Sequence, residues 1–446
     1  MKKKIIGLAV AAAMAAPAAA MAEAILYGKL HVSIDYADVK NAYQTPVFAP
    51  NGNRVRGGTD FSGWGINGKG DYIPGVSRAN RVGVKGSEDL GNGLKAIYQV
   101  ELGVSLADTN DNVTSGSDSI SMRNSFVGLA GSFGTVLVGR HDTPMKISTG
   151  KLDMFSDTMA DYNGTVGFDD VRADNTIAYI SPSFSGFQFM GALVAPGGST
   201  ALGNNNVNSD ELNGAWSLAG IYSNGPFYAS VAYETAGNEM FMNSADSEAG
   251  VTLAPPATNC TLPTGALGPG STCSYVSDDF DKWRIGLGLL DWNGFTLTAV
   301  YENQDHNPAG QTYSATVRNP GGAFVAVPDG IESQELWQIQ AGYAFGNNQV
   351  KAMYGQADRD YKLSTANYPG AANTNNRNQI SAWDGERTVW AIAFDHNFSK
   401  RTKAYILYTN VDDDYEDYVT MTGTPNISNG VTSSWDGFSL GMIHKF

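Results

Sequence analysis

Three aspartates, Asp153, Asp157 and Asp161, recur at a spacing of four. On a helical turn that spacing sets all three on one face. Such a face suits a functional acidic patch, and it suits an ordinary solvated loop equally well. The five histidines, His31, His141, His306, His396 and His444, are scattered. None falls in an H-E-x-x-H spacing, and no G-x-S-x-G elbow is present. Asp108 to Ser119 has a superficial calcium-loop look. It lacks glycine at its sixth position and glutamate at its twelfth. Cys260 and Cys273 are the only cysteines. With no further Cys or His beside them they make a poor metal site. In an oxidising compartment they read as a disulfide. These patterns argue against an enzyme, a metal centre or a cofactor.

The elements that position these residues are strands. Trp435 to Phe446 reads W-D-G-F-S-L-G-M-I-H-K-F. Phe438, Leu440, Met442, His444 and Phe446 form one mostly apolar face, and Gly437, Ser439, Gly441, Ile443 and Lys445 form the other. A period of two is the signature of a strand. An aromatic carboxy-terminus on a strand that is greasy on one face fits the closing strand of a membrane barrel. A half-buried strand of a soluble sandwich would share the alternation.

The amino-terminus sets the compartment. Three lysines, an alanine-rich apolar run from Ile5 to Ala16, and Ala20-Met21-Ala22 before Glu23 compose a secretory signal peptide. Residues 1–22 are the expected leader and 23–446 the mature chain. Beyond the leader no run of about 18 apolar residues occurs, so no transmembrane helix is expected. Removing the leader's three lysines leaves 26 basic against 44 acidic residues, a net charge of −18. That balance argues against a nucleic-acid partner. Much of the acid lies in loop-like segments, such as Asp412-Asp413-Asp414 and Asp278-Asp279. At 42% apolar content the chain is lean for a large core. It suffices for a barrel that needs apolar residues only at alternate positions.

Strand signals come in pairs. Seven tight turns join them, at 88–93, 131–134, 181–186, 223–226, 291–294, 345–348 and 397–400. Glycine, asparagine and proline supply the dihedrals these turns need. Long polar segments separate the pairs, among them 37–78, 236–281 and 304–333. Seven short turns imply eight long loops and about sixteen antiparallel strands, with both termini at the short-turn rim. Aromatics at strand ends, such as Tyr36, Phe227, Tyr233, Phe295, Tyr301 and Tyr408, read as interfacial girdles.

In this order and spacing the chain resembles the trimeric general porins of Gram-negative outer membranes. The resemblance rests on Leu26-Tyr27-Gly28-Lys29-Leu30, on Arg81 to Ala96, on Gly139-Arg140 with Asp142-Thr143-Pro144, and on Asn175 to Phe187. Departures are His444 near the terminus, the missing P-E-F-G-G stretch of the third loop, and a long fifth loop. The resemblance implies an all-β, 16-stranded antiparallel transmembrane barrel with an inward-folded third external loop, here about 141–170. It implies that Asp153, Asp157 and Asp161 supply constriction carboxylates. A basic wall would face them, with inward candidates Lys29, Arg81, Lys85, Arg123, Arg140 and Arg172 by strand parity. Arginine suits that wall because it stays charged in a fixed planar geometry. Phe446 would close the barrel. The implied protein is a homotrimer in outer-membrane lipid and lipopolysaccharide. It would pass small hydrophilic solutes and ions passively, with a modest preference for cations. A substrate-selective porin for a sugar, phosphate or peptide is the alternative, and a structural or adhesive barrel stands behind it.

If Cys260 and Cys273 are bonded, thiol labelling of the denatured, unreduced protein finds no free cysteine; two labelled thiols contradict the pairing. Closing a loop of this size contributes about 3 kcal/mol in the chain-entropy account.

Overall fold

The structure, a computed structural model, describes residues 24–48, 54–66, 78–106, 120–196, 212–237, 272–274, 279–306, 312–318, 324–328, 331–361, 383–415 and 433–446. The leader, Cys260 and the side chain of Cys273 lie outside the described residues. The strands run in chain order as β1 (Ile25–Phe48), β2 (Arg54–Ile66), β3 (Arg81–Gly91), β4 (Leu94–Val104), β5 (Ile120–Met122), β6 (Ser125–Gly131) and β7 (Gly134–Asp142). Two short helices follow, α1 (Pro144–Thr149) and α2 (Tyr162–Thr165). Then come β8 (Arg172–Ile180), β9 (Phe187–Val194), β10 (Ala215–Asn224), β11 (Phe227–Ala236), β12 (Thr272–Ser274), β13 (Phe280–Trp292) and β14 (Phe295–Asp305). The chain ends with β15 (Thr312–Arg318), β16 (Phe324–Pro328), β17 (Ile331–Phe345), β18 (Asn348–Tyr361), β19 (Trp383–Asn397), β20 (Thr402–Tyr415) and β21 (Ser433–Lys445).

Every neighbouring pair is antiparallel, and β1 pairs with β21 from Lys29↔Lys445 to Val39↔Trp435, so the sheet closes on itself. Eighteen strands fill sixteen positions. β2 and β3 share one place beside β1, pairing with its later and earlier halves. β5 and β6 share one place beside β4. All seven predicted tight turns join neighbouring strands. The predicted irregular loop 37–78 is in part strand, because β1 runs on to Phe48 against β2 through two register shifts. The bulges and glycines there hide the period of two. Loops 236–281 and 304–333 likewise contribute β12, β15 and β16 to a separate three-stranded sheet.

The faces are inverted relative to a soluble protein. On β13, Trp283, Ile285 and Leu287 are 39–55% exposed, whereas Lys282 is 2% and Arg284 0% exposed. Val32, Ile34, Leu440 and Met442 are exposed, while His31, Ser33, Asp35 and Ser439 are buried. A basic side chain on the lipid face costs about 2–4 kcal/mol at the bilayer midplane. The charges therefore turn inward and the aromatic rings and aliphatic branches outward. β3 and β6 carry the ring through the two shared positions, whereas β2 and β5 each have one partner; a closed ring of this kind answers the need to pair backbone groups in lipid.

The seam is tight where the chain ends. Gly28 and Phe446 exchange two backbone hydrogen bonds, of 3.0 and 3.1 Å. A Cβ on Gly28 would sit 2.4 Å from the Phe446 ring and 2.8 Å from the Arg81 carbonyl oxygen. The backbone oxygen has nowhere to retreat within a paired strand. Gly28→Ala should lower the yield of compact, heat-modifiable barrel on refolding; an unchanged yield contradicts this account of the seam.

Candidate functional site

The segment from Thr143 to Val171 connects β7 to β8 and packs on the polar strand face. Thr143 opens it by accepting the Lys146 amide at the start of α1, with Pro144 beside it. Residues 150–161 form turns, so no helical face carries the three aspartates. Asp157 takes a left-handed backbone with φ of 62°. Asp161 caps α2, accepting the Asn163 amide at 2.9 Å, and its second oxygen accepts the Asp157 amide at 2.6 Å. The three carboxylates still converge, through turn and cap geometry instead of a helical face.

Side chains from around the sheet hold the segment. Tyr228 donates to the Ser148 carbonyl at 2.7 Å, and Thr298 to that of Leu152 at 2.8 Å. Gln340 accepts the Met154 amide at 2.7 Å and donates to Asp153 at 2.8 Å. Lys351 donates to the Met154 carbonyl at 2.7 Å. Arg387 donates to that of Thr165 at 3.2 Å. Lys29 bonds Asp157 at 2.5 Å. Lys282 joins Asp169 at 2.8 Å and Glu234 at 2.7 Å. Arg284 reaches Asp170 at 2.6 Å and the Thr149 hydroxyl at 2.8 Å, and also pairs with Glu302. These partners lie from β1 through β11, β13, β14 and β17 to β19.

On its other side the segment borders a cavity of about 420 Å³. Its lining combines Arg81, Arg123, Arg172 and Lys146 with Asp142, Asp153, Asp157, Asp161 and Asp170. Each arginine of the cavity is steadied by an acid. Arg123 pairs with Glu101 at 2.7 Å, Arg81 approaches the same carboxylate at 3.8 Å, and Arg172 pairs with Asp142 at 2.8 Å. Burial pushes the Asp153 carboxyl up to about 6. Burial also raises Asp161 well above the usual carboxylate range, aided by the charges of Asp153 and Asp157. Asp169 is opposite in outcome: burial raises it, but Lys282 outweighs that and holds it below the ordinary value.

Of the residues singled out by sequence, Arg81, Arg123, Arg172, Asp153, Asp157 and Asp161 meet at this cavity, and Lys29 reaches it through Asp157. Two stand elsewhere. Lys85 is exposed, over the Tyr27 ring at 5.1 Å. Arg140 pairs with Asp174 and donates to the Met122 carbonyl at 3.1 Å. It shares the parity of the exposed Val136 and Val138, beside a register shift between Gly139 and His141. Sequence reasoning missed Lys146, Lys282, Arg284, Lys351 and Arg387. The signal for Lys282 and Arg284 was their alternation with Trp283 and Ile285.

Arg284 is the most enclosed of these anchors. Arg284→Met leaves Glu302 and Asp170 buried without their cation, and breaking such a buried pair costs about 3–5 kcal/mol. The variant should unfold at lower denaturant than the parent; an unchanged midpoint would mean the cluster is not strained by losing its centre.

Among known proteins, a family model described as Gram-negative porin matches residues 8–416. The major outer membrane protein P.IB of Neisseria meningitidis serogroup B is 35% identical over 187 residues, 42% of this chain and 47% of that one. An outer membrane porin protein of Bordetella pertussis is 31% identical over 193 residues, 42% of this chain and 47% of its own. In these alignments the chain spans about half the length of the curated relatives it matches. The fold is shared with an anion-selective porin from Comamonas acidovorans, at a TM-score of 0.52 and 18% identity, covering 95% of this chain and 100% of that one. It is shared too with Salmonella typhi OmpF in complex with daunomycin, at a TM-score of 0.51 and 14% identity over 95% of this chain and 98% of that one. The closed antiparallel barrel, its apolar outer face and the family match agree: this chain belongs to the Gram-negative porins, outer-membrane channel proteins and not enzymes.

Proposed function

We propose that the protein is a general diffusion porin, a passive water-filled channel for small hydrophilic solutes and ions. In this reading the Thr143–Val171 segment is the third external loop, folded into the lumen as its constriction. The observation that carries it is that Arg81, Arg123 and Arg172 line one and the same cavity as Asp153, Asp157 and Asp161. Fixed charges of opposite sign across a narrow, water-filled passage with low-dielectric walls make a transverse field. That field orients polar solutes and ordered water and disfavours bulky apolar molecules.

The preference is modestly for cations. Net charge and acidic loops enrich cations at the mouth, and the basic wall opposes this locally. The Comamonas acidovorans neighbour is anion-selective by name. It shares the fold alone, so the sign of selectivity here is read from this chain's own charges.

A homotrimer is the proposed assembly. Trp216, Tyr233, Trp283, Tyr301, Trp337, Tyr354, Trp390 and Tyr408 alternate around the outer face of β10 to β20, with ring centroids 4.9–5.6 Å apart within pairs. Tyr36 and Trp64 continue the belt at 5.2 Å. In the other direction from Trp216 the successive cross-strand partners are Leu193, Ile177, Val138 and Val127. Aromatic belts mark the lipid interface. At this level the belt is interrupted by these four aliphatic residues before Tyr98 resumes it, and the interruption supports contact with another copy there.

Reversal potentials across a fixed salt gradient test the constriction. One charge at about 8 Å in water is worth about 0.5 kcal/mol, roughly a twofold change in permeability ratio. Asp153→Asn with Asp157→Asn should therefore move the ratio towards anions, and Arg81→Gln with Arg123→Gln towards cations. Because the Asp153 carboxyl is raised to about 6, it is charged above that pH and neutral below. Cation preference should fall as pH drops from 7 to 5, above the ordinary carboxylate range. If neither charge set moves the potential, these residues do not line the constriction.

A further inference from the structure

The wall beneath the loop is notched with glycines at the positions where loop side chains land. Gly286 and Gly288 on β13, Gly342 on β17, Gly355 on β18 and Gly437 on β21 all have the parity of the polar face. A Cβ on Gly286 would lie 2.5 Å from a Leu152 methyl, and one on Gly288 would lie 2.8 Å from its other methyl. A Cβ on Gly342 would meet the Met154 sulfur at 3.0 Å, and one on Gly437 the Met159 sulfur at 2.4 Å. On Gly355 it would meet a Val166 methyl at 2.7 Å and the Trp337 carbonyl oxygen at 3.1 Å. Leu152, Met159 and Val166 are 0% exposed, so they have no solvent to swing into.

We propose that these glycines are the position-determining residues of the channel: an apolar row of sockets that fixes how far the loop stands from the basic wall. This rests on the loop being the constriction. Polar anchors such as Gln340 and Lys351 hold the Met154 amide and carbonyl but have long, adjustable side chains. A missing Cβ is not adjustable. The loop approaches the wall to a depth only glycine permits, and the depth sets the free width opposite Arg81 and Arg123. Val166 is the sharpest case, because its branched side chain is stiff at χ1.

The test is substitution with rescue. Gly355→Ala puts a methyl where ordinary carbon contact needs about 3.5–4.0 Å, so the loop must lift by about 1 Å. Gly355→Ala with Val166→Ala removes the clashing methyl and should return the loop. Gly220→Ala, whose Cβ meets only ring atoms at 3.8 Å and a Val231 methyl at 3.9 Å, is the control. Two readouts are taken on the refolded full chain. One is the distance distribution between nitroxides on Ser156 and an outer-wall position. The other is single-channel conductance. The proposal expects Gly355→Ala to shift both, the double variant to restore both, and the control to move neither. An unshifted distance in Gly355→Ala, or a shift the double variant does not reverse, overturns the sockets. A shifted and rescued distance with constant conductance would keep the sockets and instead overturn the constriction reading. If Gly355→Ala fails to fold while the double variant folds, the clash is confirmed; if both fail, Gly355 serves the wall and not the loop, and the proposal falls.

Discussion

Everything in this molecule follows from the absence of water in the hydrocarbon layer. A peptide group there must find its partner within the protein. For a chain of strands the only solution is a sheet without edges, and the β1–β21 pairing supplies it. Closure then divides the side chains by parity. One set meets lipid, and charge is costly there. The other set meets an interior that the strands alone leave unfilled, and polar residues collect in it. Arg284, Glu302, Gln304, Gln340 and His31 are fully buried for this reason.

An interior so polar carries its own constraint. Buried charges must be paired, because an isolated one loses its hydration without replacement. The loop between β7 and β8 meets part of this need. Asp169 and Asp170 answer Lys282 and Arg284, and Asp157 answers Lys29. The same loop brings apolar groups, Leu152, Phe155, Met159 and Val166, into the largest buried cluster of the described residues. Charge pairing and apolar burial thus act on one segment. What remains unfilled is the cavity beside it, lined by charges of both signs.

The parts of this legible in the sequence are those written in short-range pattern. The period of two appears in Leu26 to Tyr36 and in Phe438 to Phe446, and the seven turns carry their own dihedral chemistry. The β1–β2 extension was not legible, because bulges and glycines break its alternation. Asp153, Asp157 and Asp161 were visible as a group, but for a helical reason that the turns do not obey. The positive φ at Asp157 and the cap at Asp161 depend on contacts within the folded loop. Pairings such as Asp153 with Gln340, 187 residues apart, leave no trace in one sequence. Neither do the sockets at Gly355 and Gly437, since a glycine in a strand looks the same whether it is a weakness or a bed. Arg284 could have been found by parity alone.

The central claim is that the polar inner face encloses a continuous aqueous path. Single-channel recording of the refolded protein in planar bilayers addresses it directly. The account predicts discrete steps whose current is linear in voltage and whose size rises with bulk salt concentration. A bilayer that stays silent while heat-modifiable barrel is demonstrably inserted would contradict it.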